Sequence, residues 1–243
     1  MLTAPTSACA PGYYQRGYDG FVIPSDNSIE AAIAACTKGN TVQLLPGNFR
    51  RIGPFAGKQH VSINGWDPPF SSIIVRDTAV GSTDNLVLGP GDGFLKFVNI
   101  TFDADDRAAI KTTSGVGPNL MFVNCSLRGR GNAFDQAWRS DTKWGIHAYD
   151  TGPWSEAHNA IFAIYGEHAR YFHNTRGDHT FMGGTTAHCG RTAFQFVNRQ
   201  NEGAVGSGNI HISHHSVEDV CLEQGGGGSA FTFRGGMPHS TVS

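Results

Sequence analysis

The feature of this sequence that most constrains its fold is a short apolar segment that recurs at steps of 24 and 25 residues. LKFVNITF at residues 95–102 matches LMFVNCSL at residues 120–127, and HARYFHN at residues 168–174 matches TAFQFVN at residues 192–198. A period in the twenties that combines strands with turns is typical of solenoids, whose repeats bury their apolar faces only against their neighbours. The sequence therefore predicts one stack of short strands.

The composition agrees with many short strands joined by tight turns. Glycine occurs 32 times, and charged residues make up only 16% of the chain. Glycine adopts the backbone conformations that tight turns need, whereas a helical bundle needs long stretches rich in Ala, Leu, Glu and Lys. The composition therefore argues against a helical bundle.

One segment, SIEAAIAAC at residues 28–36, has a helical pattern. Two polar residues suited to helix capping precede it, and its apolar residues fall on one face. Those apolar residues are Ile29, Ala32, Ile33 and Cys36. A strand is predicted directly afterwards at residues 41–45, where Pro46-Gly47 ends it.

The string SIEAAIAACTKGNTVQLLPGNFR, which joins this helix to that strand, resembles the N-terminal entry to the pectate-lyase-like superfamily. In that superfamily a short amphipathic helix caps the open end of the coil, and a strand ending in Pro-Gly starts the first rung. The resemblance covers residues 25–235 and implies an all-β fold, a single-stranded right-handed parallel β-helix. The organisation expected is an N-terminal extension at residues 1–27, a capping helix at 28–36, the β-helix at 37–235 and a C-terminal tail at 236–243.

Asparagines occupy equivalent strand ends in adjacent repeats. Asn99 and Asn124 are 25 residues apart, and Asn174 and Asn198 are 24 residues apart. Amides at equivalent positions of stacked rungs can hydrogen-bond in a ladder. Asn99 and Asn124 also match the glycosylation sequon, but their repeat-equivalent positions favour the ladder.

The five cysteines form no CxxC pair, so neither a zinc site nor a thioredoxin-type motif is indicated. Cys125 and Cys221 lie in apolar, strand-like contexts, which favours free buried thiols.

Several classes of partner are excluded or left open by charge and hydropathy. The net charge of −2 offers no basic patch for a nucleic acid, and no apolar stretch has the length of a membrane span.

The first residues lack a basic segment followed by an apolar core, so no signal peptide is visible. We expect an extracellular, cell-surface or virion-associated protein. The tail shows no capping pattern, so either the chain is truncated or a second subunit of a homo-oligomer covers that end.

Strand alternation assigns side chains to the two faces of each rung. If Phe172, Phe194 and Phe196 point inward, the intervening side chains form a stripe on the outer face. That stripe contains Lys111, His147, Tyr149, Tyr171, His173, Gln195 and Arg234. We expect His173 to be exposed there, although an ordinary solvated face would have the same pattern.

The residue types of this stripe suit the handling of an acidic sugar polymer. Tyrosine and histidine stack on sugars and transfer protons, and Lys or Arg neutralises a carboxylate. As a polysaccharide lyase, the protein would use His173, Tyr171, His147 and Arg234 for catalysis. Substrate binding would then fall to Lys111, Tyr149, Gln195, Arg176 and Asp178. Arg176 and Asp178 lie in the turn after Asn174, where bracing of the turn is the favoured alternative.

No metal or other cofactor is expected. An acidic loop at Asp103, Asp105 and Asp106 offers oxygen ligands for calcium but lacks the EF-hand spacing. Among the neighbouring histidines, alternation sends His211 and His215 to one face and His214 to the other, which argues against a shared metal site.

The function expected is the binding, and the degradation, of a polysaccharide. A lyase is favoured over a glycoside hydrolase because a hydrolase usually needs two carboxylates about 5–10 Å apart, and the stripe contains none. The catalytic motifs of polygalacturonases and the calcium-binding aspartates of pectate lyases are missing from the sequence. The alternative is therefore a non-catalytic β-helix, either a sugar-binding adhesin or a structural module of a virion or surface.

Overall fold

The fold is an all-β, single-stranded, right-handed parallel β-helix with a short helix near its N-terminal end, as the sequence predicts. The structure is a computed structural model that describes residues 13–16, 19–22, 29–35, 41–49, 52–56, 60–66, 72–75, 84–104, 107–113, 115, 117–129, 142–164, 166–174, 176–198, 208–222, 228–235 and 240–243. Three sheets form the sides of the coil, and each rung contributes one strand to each sheet.

Sheet A contains the first strand of each rung and two further strands that precede the helix. Its strands are β1 (Tyr13–Arg16), β2 (Asp19–Val22), β3 (Thr41–Leu44), β6 (His60–Asn64), β9 (Phe94–Val98), β12 (Asn119–Val123), β15 (Trp154–Ala157), β18 (His179–Met182), β21 (Ile210–Ser213) and β24 (Ser240–Val242).

Sheets B and C contain the second and third strands of each rung. Sheet B consists of β4 (Gly47–Phe49), β7 (Ser72–Val75), β10 (Ile100–Asp103), β13 (Ser126–Arg128), β16 (Ala160–Ile164), β19 (Thr185–Cys189) and β22 (Ser216–Glu218). Sheet C consists of β5 (Ile52–Ala56), β8 (Leu86–Gly89), β11 (Ala108–Thr112), β14 (Trp144–Tyr149), β17 (His168–His173), β20 (Phe194–Val197) and β23 (Phe231–Arg234).

The helix α1 (Ile29–Ala35) buries the face that its sequence predicts. Ile29, Ala32 and Ile33 are buried and join the hydrophobic core that fills the coil. The fourth residue of the predicted face, Cys36, lies outside the described residues. The helix therefore covers apolar side chains of the first rungs, as a cap requires.

Sheet A extends beyond the predicted limits of the solenoid at both ends. β1 and β2 form an antiparallel pair, and β2 pairs in parallel with β3, so residues predicted to be an N-terminal extension join the sheet. Within the predicted tail, β24 pairs in parallel with β21.

Stacked aromatic rings fill the interior of the coil from rung to rung. Phe97 lies on Phe122 at a centroid distance of 5.0 Å and an angle of 8°, and Phe122 lies on Trp154 at 5.0 Å. A second stack runs through Phe172, Phe196 and Phe233 at 5.1 and 5.4 Å. These contacts confirm the inward faces expected for β17, β20 and β23, although Phe233 at the end of the stack stays 36% exposed.

Four of the described turns between sheets A and B hold a residue other than glycine in the left-handed region. Asn99 and Asn124 occupy this position with φ of 56° and 51°, and His158 and His214 occupy it on later rungs. The amide Nδ2 of Asn124 donates to Oδ1 of Asn99 at 2.7 Å. The ladder predicted for these two asparagines is therefore confirmed.

The cysteines that the structure describes are free thiols. Cys125 is buried, and burial raises the pKa of its thiol to about 12. Cys221 is only half-buried, so the prediction of a buried thiol is wrong for it. No helix in the described part of the chain is long and apolar enough to span a membrane.

Candidate functional site

The outer face of sheet C brings the predicted stripe together in two columns. Strand pairing aligns Lys111 with His147, His147 with Tyr171, and Tyr171 with Gln195. The second column aligns Tyr149 with His173, His173 with Val197, and Val197 with Arg234. Since neighbouring strands lie about 4.8 Å apart, each column is a row of side chains parallel to the solenoid axis.

Six rings on β14 and β17 form one continuous surface on this face, which we call the ring cluster. Its members are Trp144, His147, Tyr149, His168, Tyr171 and His173. Trp144 stacks on His147 at 4.1 Å, and Tyr149 and Tyr171 contact His147 at 4.7 and 5.4 Å. Tyr171 in turn stacks on His168 at 5.5 Å and on His173 at 6.3 Å.

The packing of the ring cluster corrects one expectation. His173 points outward as predicted, but it is only 6% exposed, because neighbouring rings such as Tyr149 at 5.2 Å cover it. Gln195 and His147 are likewise only 7% and 9% exposed. The expectation of an exposed His173 is therefore wrong, since neighbours on adjacent rungs shield an outward side chain.

The electrostatics of the cluster keep His147 neutral. Burial, together with the positive charge of Lys111 on the preceding strand, lowers the pKa of His147 to about 4. The Lys111 ammonium is bound to the carboxylate of Asp84 at 3.2 Å. At neutral pH the centre of the stripe is thus an uncharged imidazole beside a lysine–aspartate pair.

The two cations proposed to bind a carboxylate lie far apart. Lys111 is on β11 and Arg234 is on β23, which are separated by four strand spacings, or about 19 Å. Arg234 is exposed at the end of sheet C. A single sugar residue therefore cannot contact both.

Arg176 and Asp178 do not bind each other. Arg176 Nη2 lies 3.9 Å from the carboxylate of Asp150, and Asp178 accepts a hydrogen bond from the backbone N–H of Asn209 at 2.9 Å. Each therefore links its turn to a neighbouring rung, which is the bracing role that the sequence favours.

Sequence reasoning missed three members of this region. Trp144 and His168 belong to the ring cluster, and Asp84 binds Lys111. Strict alternation puts Trp144 on the same side as the inward Ile146, so the pattern alone does not place it over His147.

A buried ion pair inside the coil was also missed. Arg170 and Glu156 are 0% and 4% exposed, and Arg170 Nη2 donates to Glu156 Oε2 at 2.7 Å. Trp154 Nε1 and Asn159 Nδ2 also donate to this carboxylate, at 3.0 and 3.3 Å. Burial by itself would raise the pKa of Glu156, but the charge of Arg170 and these hydrogen bonds outweigh it and lower the pKa. Alternation does place Arg170 inward beside Phe172, so the signal was present in the sequence.

The weaker candidates for metal binding gain no support. Asp103 binds Arg128 Nη2 at 3.1 Å, and Asp105 and Asp106 lie outside the described residues. Within the described ranges, no group of three His, Cys, Asp or Glu side chains is arranged to hold a metal ion.

The histidines near residue 211 occupy other faces than alternation predicts. His211 and His214 are exposed, whereas His215 turns inward and contacts Thr186 at 2.9 Å. The chain takes a left-handed conformation at His214, with φ of 53°, and this resets the alternation.

Comparisons with known proteins concern the fold alone. Neither protein-family models nor curated proteins match the sequence. Among solved structures, the chain is similar to the PL6-family alginate lyase AlyGC with a TM-score of 0.44, and to a mutant of the same enzyme with a TM-score of 0.40. Both are 13% identical to this chain, and the alignments cover 100% of this chain and 41% of theirs. The chain thus spans about two fifths of the length of these lyases.

Proposed function

We propose that the outer face of sheet C binds a polysaccharide that lies along the solenoid axis. The observation that carries this proposal is the ring cluster, in which aromatic and imidazole rings of adjacent strands form one surface. Aromatic faces pack well against sugar rings. The strand spacing of about 4.8 Å is close to the length of one sugar residue, so successive sugars would meet successive strands.

Basic side chains on this face favour an acidic polymer. Lys111 and Lys143 lie beside the ring cluster, with the Lys143 ammonium 5.9 Å from the Trp144 ring centre, and Arg234 lies at the end of the sheet. Lys and Arg bind carboxylates through charge-assisted hydrogen bonds.

The chemistry that we propose for this face is β-elimination at a uronate residue. Lys111 would neutralise the carboxylate, His147 would remove the proton from the carbon beside it, and Tyr171 would protonate the leaving glycosidic oxygen. The C–H bond and the C–O bond break, a C=C bond forms, and no water is consumed. The first column supports these roles, because Lys111, His147 and Tyr171 lie on three consecutive strands and His147 is neutral at neutral pH.

Incubation with alginate, polygalacturonate and other uronate polymers tests the reaction through the ultraviolet absorbance of the unsaturated product. We expect His147→Gln and Tyr171→Phe to lower kcat by about 100-fold to 10,000-fold while leaving polymer binding in place. Arg128→Gln, on the outer face of sheet B, is the matched control and should retain full activity. Absence of product from every polymer, with a folded protein, would contradict the proposed reaction.

A second candidate function is binding without turnover, as in an adhesin. The observation that favours it is the engagement of the catalytic candidates with their neighbours: Lys111 binds Asp84, and His147 lies beneath Trp144. Affinity electrophoresis in gels containing each polymer separates the candidates. An adhesin would be retarded without forming product, and Trp144→Ala would abolish the retardation. A protein that is neither retarded nor active would contradict both.

A further inference from the structure

A chain of hydrogen bonds inside the coil links three successive rungs. Arg170, which is bound to Glu156, donates from Nη1 to the hydroxyl oxygen of Thr186 at 2.7 Å. That hydroxyl lies 2.9 Å from Nε2 of His215, and Nδ1 of His215 lies 2.8 Å from the carbonyl oxygen of Gly183. The chain therefore runs from the buried ion pair to a half-buried histidine near the last described rung.

The hydrogen bonds of His215 match a neutral imidazole. The Gly183 carbonyl only accepts, so Nδ1 carries a proton. The Thr186 hydroxyl already accepts from Arg170, so its own proton is available to an unprotonated Nε2. In this arrangement the imidazole is neutral, which avoids a second positive charge beside the Arg170 guanidinium.

The last rung with all three strands described, formed by β21, β22 and β23, is held by few buried side chains. Ile210, Ile212 and Ser213 of β21 are buried, but β22 and β23 contain only half-buried and exposed residues. Segments with little buried surface open at lower free energy than the rest of a protein. The inward contacts of His215 with Thr186, Gly183 and the Phe194 ring at 4.9 Å therefore hold this rung to the one before it.

We infer that His215 is an acid-sensitive latch, whose protonation at Nε2 breaks the hydrogen bond from Thr186 and releases the rung of β21, β22 and β23. A proton on Nε2 leaves the Thr186 hydroxyl without its acceptor and places an imidazolium next to the Arg170 guanidinium. The charged groups that face His215 are Arg170 on β17 and Glu156 on β15. Its chain neighbour His214 is exposed, Glu218 on β22 accepts from Ser216, and His188 on β19 pairs with Asp219.

The electrostatics agree with release in acid. Burial, reinforced by Arg170, lowers the pKa of His215 to about 4, against 6.5 for a free histidine. Between these two values the opened rung takes up a proton and the closed rung does not. Opening is therefore favoured as the pH falls from 6.5 towards 4.

Hydrogen exchange read by mass spectrometry tests the latch on the full chain. Protection factors, corrected for the intrinsic rate at each pH, are compared at pH 7.5 and 4.5 for peptides from residues 208–222 and from residues 94–104. In the wild type we expect the opening equilibrium of the last rung to rise roughly 50-fold to 100-fold. His215→Gln cannot titrate and should remove this rise, whereas His214→Gln should keep it.

Nitrogen NMR of the histidine side chains gives a second measurement that needs no variant. It should find the His215 proton on Nδ1 at neutral pH and the titration of His215 well below pH 6. A titration near 6.5, a proton on Nε2, or the same pH response in His215→Gln as in the wild type would overturn the inference.

Discussion

The stability contributed by His173 is a prediction at the scale of one residue. Its ring packs at 5.2 Å from Tyr149 and 6.3 Å from Tyr171. His173→Ala removes these contacts, so we expect a loss of about 1–2 kcal/mol, which corresponds to a fall in Tm of roughly 2–8 °C. His211→Ala, at an exposed position of β21, is the control and should change Tm less. Equal melting temperatures for wild type and His173→Ala would show that these ring contacts contribute nothing to stability.

The buried ion pair gives a second prediction at this scale. Glu156→Leu or Arg170→Met alone leaves an uncompensated charge inside the coil, and we expect each to destabilise the protein by about 3–5 kcal/mol. The double variant should be more stable than either single variant, because two apolar side chains of similar size replace the pair. Urea unfolding of all four proteins measures the coupling.

The matched control for that cycle is the ion pair of Asp103 and Arg128 on the outer face of sheet B. Its nitrogen–oxygen distance is 3.1 Å, compared with 2.7 Å in the buried pair, and both of its side chains are more than a third exposed. We expect its coupling to be at most about 1 kcal/mol. Similar couplings for the two pairs would contradict the role of burial.

At the scale of the element, the turns of the coil depend on left-handed asparagines. Asn124 combines a φ of 51° with a hydrogen bond to Asn99. Asn124→Gly keeps the backbone conformation and loses the bond, so we expect a cost of about 1 kcal/mol. Asn124→Ala adds the strain of a left-handed alanine, about 1 kcal/mol more. A higher Tm for Asn124→Ala than for Asn124→Gly would contradict the expected strain of a left-handed alanine.

The strands show which part of the structure the sequence could predict. The 24- to 25-residue period and strict alternation predict the faces of β20 and of the later residues of β14 and β17, because side chains alternate along a regular strand. Trp144 and His168, at the first positions of β14 and β17, depart from this alternation. At the turn after β21, His214 adopts a left-handed conformation. The next residue, His215, then faces inward instead of outward. No periodic pattern predicts such a reset.

Strand alternation predicts neither how exposed a side chain is nor which distant residue it pairs with, and the reason is a different one. Whether His173 is covered depends on rings of the neighbouring strand, which the pattern of its own strand does not contain. Glu156 and Arg170 lie on different sheets, and only the closure of the coil brings them together. The candidate site was thus predictable as a set of outward residues but not as the packed ring cluster that it is.

At the scale of the whole molecule, buried neutral histidines make the fold sensitive to acid. His179 lies inside the coil, where its Nδ1 is 3.0 Å from the Gly177 carbonyl oxygen and its Nε2 is 3.3 Å from the Thr151 hydroxyl. Burial lowers the pKa of His179 to about 4, and burial likewise lowers the pKa values of His147 and His215 to about 4. These positions lie on successive parts of the coil, so the effect is distributed along the solenoid.

The sign of this effect follows from proton uptake by the unfolded chain. Between pH 6.5 and 4 these histidines are protonated when unfolded and neutral when folded, so the free energy of unfolding falls as the pH falls. His179 alone is expected to remove about 2 kcal/mol between pH 7.5 and 5. Urea unfolding at half-unit steps of pH measures the loss in the free energy of unfolding. His179→Gln should reduce that loss by about 2 kcal/mol. A free energy of unfolding that stays constant from pH 7.5 to 4.5 would mean that these histidines are already charged, or equally accessible, in the folded coil.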